Sequence, residues 1–366
     1  MEKKKRVLIA FIGSGRDGGV DQYLLRLISD LNLDQYSIDF LTNSKNQDLS
    51  AWLEEKGMNL YEVHSSVAPV KQYKDIKQIM KKNKYDVFYL NISTAIPCAG
   101  MVAAKHTGIK NRIVHSHSSG LDNENKYVRF FMTFIHNVCK RILSKEALVY
   151  VACSEKAGEW LYTKKVMQSP DFFVLHNAVQ TEKFVFQEDT RDKVREQYGV
   201  QDKKVIIQVA NFSYPKNHEF TLRVFKRILE QNSKYVLWLI GSGEKEDKIK
   251  ELAKVYGIEK HIVFYGQVSN VADYLQASDC FILPSWFEGY PISALEAQVN
   301  GLPCLMSCNV TKESKIIPNC KFLPLDERIW EKELLKITEK DRETKVFQGK
   351  KSIDLCNQVV ELWNKG

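Results

Sequence analysis

The chain has 366 residues, enough for two domains that each bury a core. Apolar residues make up 44% and charged residues 27%, a soluble globular balance that excludes disordered and collagen-like chains. The formal net charge is +8, and no stretch approaches the run of about 18 apolar residues that a membrane-spanning helix needs.

The charge is unevenly divided. Residues 1–180 carry 25 Lys+Arg against 18 Asp+Glu, and the remainder carries 28 against 27. A basic first half and a neutral second half point to different partners. The eight cysteines are scattered, with no Cys-x-x-Cys pair. They read as buried free thiols in a reducing cytoplasm.

The basic lead Met1–Arg6 runs into Val7–Ile12, a short apolar run with no small-residue cleavage site. It reads as a first strand, not a signal peptide. A glycine-rich turn follows, Gly13-Ser14-Gly15, and then Gly18-Gly19-Val20-Asp21 opens a helix. Glycines there let a ligand approach the backbone. Gly13, Gly15 and Gly18 match G-x-G-x-x-G, yet no acidic residue is suitably placed after the second strand. A dinucleotide site is therefore not indicated.

Further strands are expected at Ser37–Thr42, Asn59–His64, Val87–Asn91, Arg112–His115, Ala147–Ala152 and Phe172–Leu175. Helical patterns lie between most of them, at Val20–Leu31, Leu49–Lys56, Val70–Lys84 and Lys126–Leu143. Two helices are notably basic. One runs from Lys71 to Lys84. The other runs from Lys126 to Lys145, where Arg129, Lys140 and Arg141 mix with Tyr127, Phe130, Phe131 and Phe134. Such faces are either solvated or drawn to an anionic bilayer, at about 1 kcal/mol per well-placed basic residue. No nucleic-acid motif accompanies the charge, so nucleic acid is not an expected partner. His115 and His117 end one strand on the same side, where ligands meet a parallel sheet.

The second half repeats the alternation. Strands are expected at Val205–Val209, Tyr235–Ile240, His261–Tyr265, Cys280–Leu283 and Cys304–Met306. Helices are expected at His218–Glu230, Lys245–Tyr256, Val271–Gln276 and Ile292–Val299, with a last one from Asp341 to Lys365. Alternating strands and helices make parallel sheets covered on both faces. The fold class is thus α/β, with two doubly wound Rossmann-like domains facing across a cleft. The boundaries are 1–180, 181–340 and a C-terminal helix at 341–366.

The most informative stretch is Phe287–Pro303, FEGYPISALEAQVNGLP. Glu288 stands in the loop after a buried strand, and Glu296 lies about a turn into the following helix. Gly289-Tyr290-Pro291 makes the turn, and Ile292 and Ser293 open the helix. Backbone N–H groups at a helix N-terminus bind anions. Two carboxylates can hydrogen-bond two separate sets of sugar hydroxyls.

This segment resembles the E-x7-E signature of retaining glycosyltransferases of the GT-B fold, most closely glycosyltransferase family 4 of the capsule and exopolysaccharide type. The resemblance spans nearly the whole chain and is strongest from Val205 to Ser307. It implies a retaining transfer of a hexose-type sugar from a nucleoside diphosphate sugar to an acceptor hydroxyl. Glu296 would hold the ribose and Glu288 the sugar. Lys216 and the N–H groups near Ile292 and Ser293 would stabilise the diphosphate. His117, with His115 in reserve, would lie by the transferred sugar. Gly18 and Gly19 would face donor phosphate and acceptor, and the Gly241–Gly243 and Gly266 loops would border the nucleobase. His176-Asn177-Ala178 resembles an interdomain motif with alanine for glycine, and the last helix would cross back to the first domain.

One departure is clear. Asn211 stands where family members carry arginine, and asparagine supplies hydrogen bonds without charge. No Asp-x-Asp occurs in the chain, so no metal and no separate cofactor is expected. The basic first half points to a lipid-linked acceptor, with the protein cytoplasmic and peripheral at the inner membrane face. Two rival readings stay open: a UDP-sugar 2-epimerase of the same fold, and a non-catalytic GT-B module in a complex.

Overall fold

The computed structural model describes residues 4–13, 18–343 and 352–365. Ser14 and Gly15 of the first glycine turn lie outside them. The chain divides into two compact units. Unit 1 is residues 1–177 with 352–366, and unit 2 is residues 178–351. The division falls between Asn177 and Ala178, inside the His-Asn-Ala motif.

Unit 1 holds a seven-stranded sheet: β1 Lys5–Ala10, β2 Tyr36–Thr42, β3 Asn59–Glu62, β4 Val87–Ile92, β5 Asn111–Ser116, β6 Val149–Ala152 and β7 Phe172–Val174. Its order is 3-2-1-4-5-6-7 and every pairing is parallel. The helices between are α1 Gly19–Asp30, α2 Gln47–Glu54, α3 Pro69–Asn83, α4 Ala99–His106, α5 Lys126–Glu146, α6 Glu155–Leu161 and α7 Lys164–Met167. All six residues of β4 are buried. A strand covered on both faces has no polar side to alternate with, which is why it reads as an apolar run.

Unit 2 begins with the short helix α8 Thr181–Phe184 and with α9 Glu188–Gln197. Its sheet has six strands: β8 Lys204–Val209, β9 Tyr235–Ile240, β10 Ile262–Gly266, β11 Cys280–Leu283, β12 Cys304–Ser307 and β13 Cys320–Leu323. The order is 10-9-8-11-12-13, again parallel throughout. Helices α10 His218–Gln231, α11 Glu246–Val255, α12 Val271–Ala277, α13 Ile292–Val299 and α14 Glu327–Lys336 connect and cover it. One core cluster joins Ile206, Leu237 and Ile282 of the sheet to Phe220, Phe225 and Trp330 of the helices. Burying each such side chain contributes about 1.5–3 kcal/mol.

A buried arginine cluster closes unit 2. Arg191 and Arg195 of α9 both reach Asp279, and Asp279 Oδ2 also accepts from Val205 N at 2.7 Å. Arg342 binds the carbonyls of Asn300 and Ser278. Low dielectric makes these charges costly: Arg191 and Arg195 are offset by Asp279, while Arg342 is held by carbonyl oxygens and burial lowers it to about 9.

The last helix differs from the expected Asp341–Lys365. Glu339–Asp341 is a 3-10 turn and the helix α15 spans Ser352–Asn364. It belongs to unit 1. Trp363 is fully buried, and Asn111 Nδ2 donates to the carbonyls of Leu362 and Trp363, both at 2.9 Å. Seven cysteines are buried and Cys308 is exposed; all eight are free thiols.

Candidate active site

In a doubly wound sheet the ligand crevice lies where the strand order reverses, at the carboxyl ends of the strands. Unit 2 reverses between β8 and β11. The loops leaving these two strands carry Lys216 and Glu288, and the fold brings them together. Lys216 Nζ donates to Glu288 Oε1 at 2.6 Å and Oε2 at 2.9 Å. Both are largely sequestered from solvent. The Ser285 hydroxyl also donates to Glu288 Oε1, at 2.7 Å, and Ser307 Oγ holds the Ser285 carbonyl at 2.5 Å.

The lysine loop is fixed from below. Gln208 Nε2 donates to the Lys216 carbonyl at 3.0 Å, and Thr221 Oγ1 donates to Gln208 Oε1 at 2.7 Å. Asn217 adopts a left-handed conformation, φ 54°, and its Nδ2 donates to the Pro284 carbonyl at 3.0 Å. Trp286 N donates to the Pro215 carbonyl at 2.8 Å, so both loops form one unit. Tyr214 stacks on Trp286 beside them.

After this turn comes α13, whose N-cap is Pro291 and whose first turn has no acidic residue. The first N–H groups of a helix, here those from Ile292 onward, lack an intrahelical acceptor and form an anion site. Glu296 is buried on this helix. Tyr290 Oη donates to the Glu313 carbonyl at 3.2 Å, and the Gln298 side chain ties the helix to Ser314 and Ile316. Gly289 and Tyr290 thus belong to a braced turn.

The glycine loops brace the same end of the sheet. Ala210 N donates to Ile240 O, Phe212 N to Ser242 O, and Gly241 N to Gly266 O, at 2.8–2.9 Å. Gly241 has φ 136°, and a Cβ there would lie 2.2 Å from the Ala210 carbonyl oxygen. Gly266 has φ 65° but open space around it. Asn211 lies in this braced loop, half-buried, and its side-chain amide makes no hydrogen bond to the described residues. Burial holds His218, which stacks on Phe212, down to about 3; the Lys216 charge adds to this. A cavity of about 350 Å³ opens between α9, α12 and the loop that joins β10 to α12, lined by Tyr198, Gln267 and Tyr274 among others. None of the expected site residues lines it.

Unit 1 reverses between β1 and β4. Gly13 N donates to Asp21 Oδ1 at 2.6 Å, fixing the loop after β1 to the start of α1. Gly18 caps α1 with φ −79°, an ordinary value, and a Cβ on Gly18 or Gly19 would meet nothing closer than 3.9 Å. Neither packing against the described residues nor backbone geometry requires glycine there.

His115 and His117 are adjacent, with ring centroids 4.0 Å apart. His115 is buried and ends a polar chain: Tyr23 Oη meets Tyr89 Oη at 2.7 Å, and Tyr89 Oη meets His115 Nδ1 at 2.6 Å. His115 Nε2 is buried without a partner among the described residues. His117 Nε2 meets Asn91 Oδ1 at 2.9 Å, while Asn91 Nδ2 donates to the Tyr89 carbonyl at 3.3 Å. This pairing assigns the His117 proton to Nε2 and leaves Nδ1 as an acceptor. Burial pushes His117 down to about 3. His115 falls well below the ordinary histidine value, through burial first and His117 second. Both rings are neutral at physiological pH.

The sequence expectation missed Asn91, Tyr89 and Ser285. Strand alternation could have flagged Asn91, a polar residue at the end of an all-apolar strand beside the reversal.

Two parallel Rossmann-like units, each with polar groups gathered at its reversal point, make up the GT-B fold. The comparisons agree. Residues 190–319 match the family described as Glycosyl transferases group 1, and the chain resembles glycosyltransferases of this kind. It is 26% identical over 317 residues to the putative glycosyltransferase EpsF of Bacillus subtilis (strain 168), covering 85% of this chain and 81% of that one. It is 22% identical to the UDP-Gal:alpha-D-GlcNAc-diphosphoundecaprenol alpha-1,3-galactosyltransferase of Escherichia coli, covering 82% and 80%. Among solved structures, Anabaena Alr3699/HepE in complex with UDP-glucose aligns over 100% of both chains, with TM-score 0.77 and 15% identity. The lipopolysaccharide glycosyltransferase WaaG aligns over 99% and 95%, with TM-score 0.70 and 13% identity. At such identities the solved structures establish the fold. No helix among the described residues is long and apolar enough to cross a membrane.

Proposed function

We propose that the chain is a retaining glycosyltransferase that moves a hexose-type sugar from a nucleoside diphosphate to an acceptor hydroxyl. The observation that carries this reading is the Lys216–Glu288 pair, seated by Ser285 and Gln208 where β8 and β11 diverge. An ammonium has three N–H donors. Two are engaged by Glu288, which leaves one for a phosphate oxygen. Glu288 is the group for donor sugar hydroxyls, and Glu296 for the ribose. The N–H groups of Ile292 and Ser293 face the diphosphate, where negative charge grows as the leaving group departs.

In the reaction the anomeric carbon–phosphate oxygen bond breaks and a bond to the acceptor oxygen forms on the same face. The acceptor proton passes to a phosphate oxygen. Neutral His117 contributes a hydrogen-bonding group near the sugar, not a charge. The sequence offers Lys216 and helix N–H groups where other enzymes use a metal held by Asp-x-Asp, so the transfer runs without a metal. The acceptor is a lipid-linked glycan of surface polysaccharide synthesis, and the protein works from the cytoplasm at the membrane face. The curated relative that acts on a diphosphoundecaprenol-linked sugar supports this acceptor class.

The test is titration calorimetry with UDP, GDP and ADP, followed by transfer assays with the matching sugars and NMR of the product. Tight binding of one nucleotide, an α-linked product from an α-linked donor, and activity that survives EDTA are expected. An inverted product, free epimerised sugar, or loss of activity in EDTA restored by Mg²⁺ overturns the corresponding part.

A further inference from the structure

We propose that the first half of α5 is a membrane-docking element that lays its aromatic side chains into the interface of an anionic bilayer. The proposal deepens, and rests on, the reading of a lipid-linked acceptor. α5 spans 21 residues, yet its buried residues are His136, Cys139 and Leu143, all in the second half. The first ten residues bury nothing and still carry large apolar side chains. Tyr127 is 74% exposed, Phe130 80%, Phe131 63% and Phe134 65%. These four are the exposed phenylalanines and tyrosines of the described residues. The spacing 127, 131, 134, 138 puts Tyr127, Phe131, Phe134 and Val138 on one stripe, with Phe130 beside it. A contiguous exposed apolar patch of this kind marks an interaction surface.

The helix is held firmly enough to present that stripe. Asn125 caps it by accepting from Tyr127 N and Val128 N. His136 stacks on Trp160 and is bonded on both ring nitrogens, to Ala95 N and to the Trp160 carbonyl. Lys140 Nζ donates to the carbonyls of Glu159 and Trp160. The apolar stripe is thus a fixed surface carried by a pinned second half.

Charge selects the occupant. From Lys126 to Lys145 the helix has five basic residues and no acidic one. Lys126 and Arg129 stand among the aromatic residues and Arg141 and Lys145 follow, with Lys140 engaged by carbonyls; such a basic, aromatic helix suits the headgroup region of an anionic membrane. A second copy packed α5 against α5 would oppose like charges. The other basic helix, α3, lacks the apolar half. It exposes Val70 but no aromatic ring, and its Lys77 is turned onto Tyr73, donating to Oη at 2.9 Å. It can adsorb but has nothing to insert.

The experiment is cosedimentation of the full chain with sucrose-loaded vesicles of phosphatidylcholine, alone or with phosphatidylglycerol. Wild type is expected to bind the anionic vesicles, with part of the binding surviving 1 M salt, where screening removes adsorption but not insertion. The triple variant Phe130→Ser, Phe131→Ser, Phe134→Ser should lose roughly tenfold or more in vesicle partitioning, because apolar burial drives insertion. Lys74→Glu with Lys81→Glu should lose less than threefold, a change confined to adsorption. Circular dichroism melting verifies that each variant is folded, and a milder Phe131→Ser variant serves if the triple is not. Wild-type-like partitioning of the folded triple variant overturns the proposal. So does absence of vesicle binding by wild type together with a dimer, seen by analytical ultracentrifugation, that the triple variant dissolves. Nucleotide binding by calorimetry is the separate readout for the donor site. Its failure with vesicle binding intact removes the proposed function and leaves the surface.

Discussion

Lys216 is where this site departs most from a simple cation. Its charge is already shared with Glu288, so the proposed donor site gathers a neutral pair, a helix N-terminus and an amide, Asn211. Exchanging either glutamate separates their roles. Glu296→Gln should weaken nucleotide affinity by roughly tenfold, about the value of one hydrogen bond to a charged group. Glu288→Gln should leave nucleotide affinity within about twofold and lower turnover if, as proposed, its partner hydroxyls are on the transferred sugar. Calorimetry and single-turnover assays read the two effects, and equal losses of nucleotide affinity contradict the assignment. Asn211→Arg should tighten diphosphate binding by about 1–3 kcal/mol if its amide is a weakened phosphate contact. Weaker binding by a folded variant, or failure to fold, means that the loop is built around asparagine.

The E-x7-E segment was legible because its residue types are dictated locally, by a buried strand end, a Gly-Tyr-Pro turn and a helix start. Ser285 and Asn91 were not: Ser285 is oriented by Ser307 from the neighbouring strand, and Asn91 meets His117 across strands, both partners distant in sequence. Within the basic helix Lys71–Lys84, Lys77 is half-buried on Tyr73. Nothing in helical spacing alone decides which way a lysine stem lies.

At the level of elements, the alternation of apolar runs and amphipathic stretches gave most strands and long helices. Short elements were missed. α4 is Ala- and Gly-rich without a polar face, α6 has only seven residues, and the edge strand β13 reads Cys-Lys-Phe-Leu, too brief for a period to emerge. The glycine loops give an element-scale prediction. Gly241→Ala should destabilise unit 2 by about 2–4 kcal/mol, since both a disfavoured φ and a clash with the Ala210 carbonyl must be relieved. Gly266→Ala, with open space around it, should cost about 1 kcal/mol from backbone conformation alone. Urea unfolding followed by tryptophan fluorescence compares them. Similar losses for both would mean that the three loops are not locked together as described.

At the scale of the whole molecule, four buried or half-buried histidines, His115, His117, His136 and His218, share one direction of perturbation: burial lowers each. Their protonated forms belong to the unfolded chain, with an ordinary value near 6.5. Between that value and about 3, reached by His117 and His218, the unfolded state binds more protons. Stability is therefore full above about pH 6.5 and falls as acid is added, by up to about 1.4 kcal/mol per pH unit for each histidine. Three of the four lie in unit 1, so unit 1 should melt first on acidification. Calorimetric scans from pH 7.5 to 4.5 resolve this, and unit 2 melting first would contradict it.

The return of α15 to unit 1 governs the order in which the polypeptide matures. Unit 2 is one uninterrupted stretch, whereas unit 1 is completed by residues made after it. On the ribosome the middle of the chain can close its sheet while the earlier unit still lacks the helix that brings Trp363 into its core and accepts from Asn111 Nδ2. The nascent unit 1 must therefore wait, with an apolar face uncovered, until α15 is made, whose last residue comes about 190 positions after its own β7. The first-made domain is the last to be finished. Its exposed interval, not that of unit 2, is where chaperones would engage this chain.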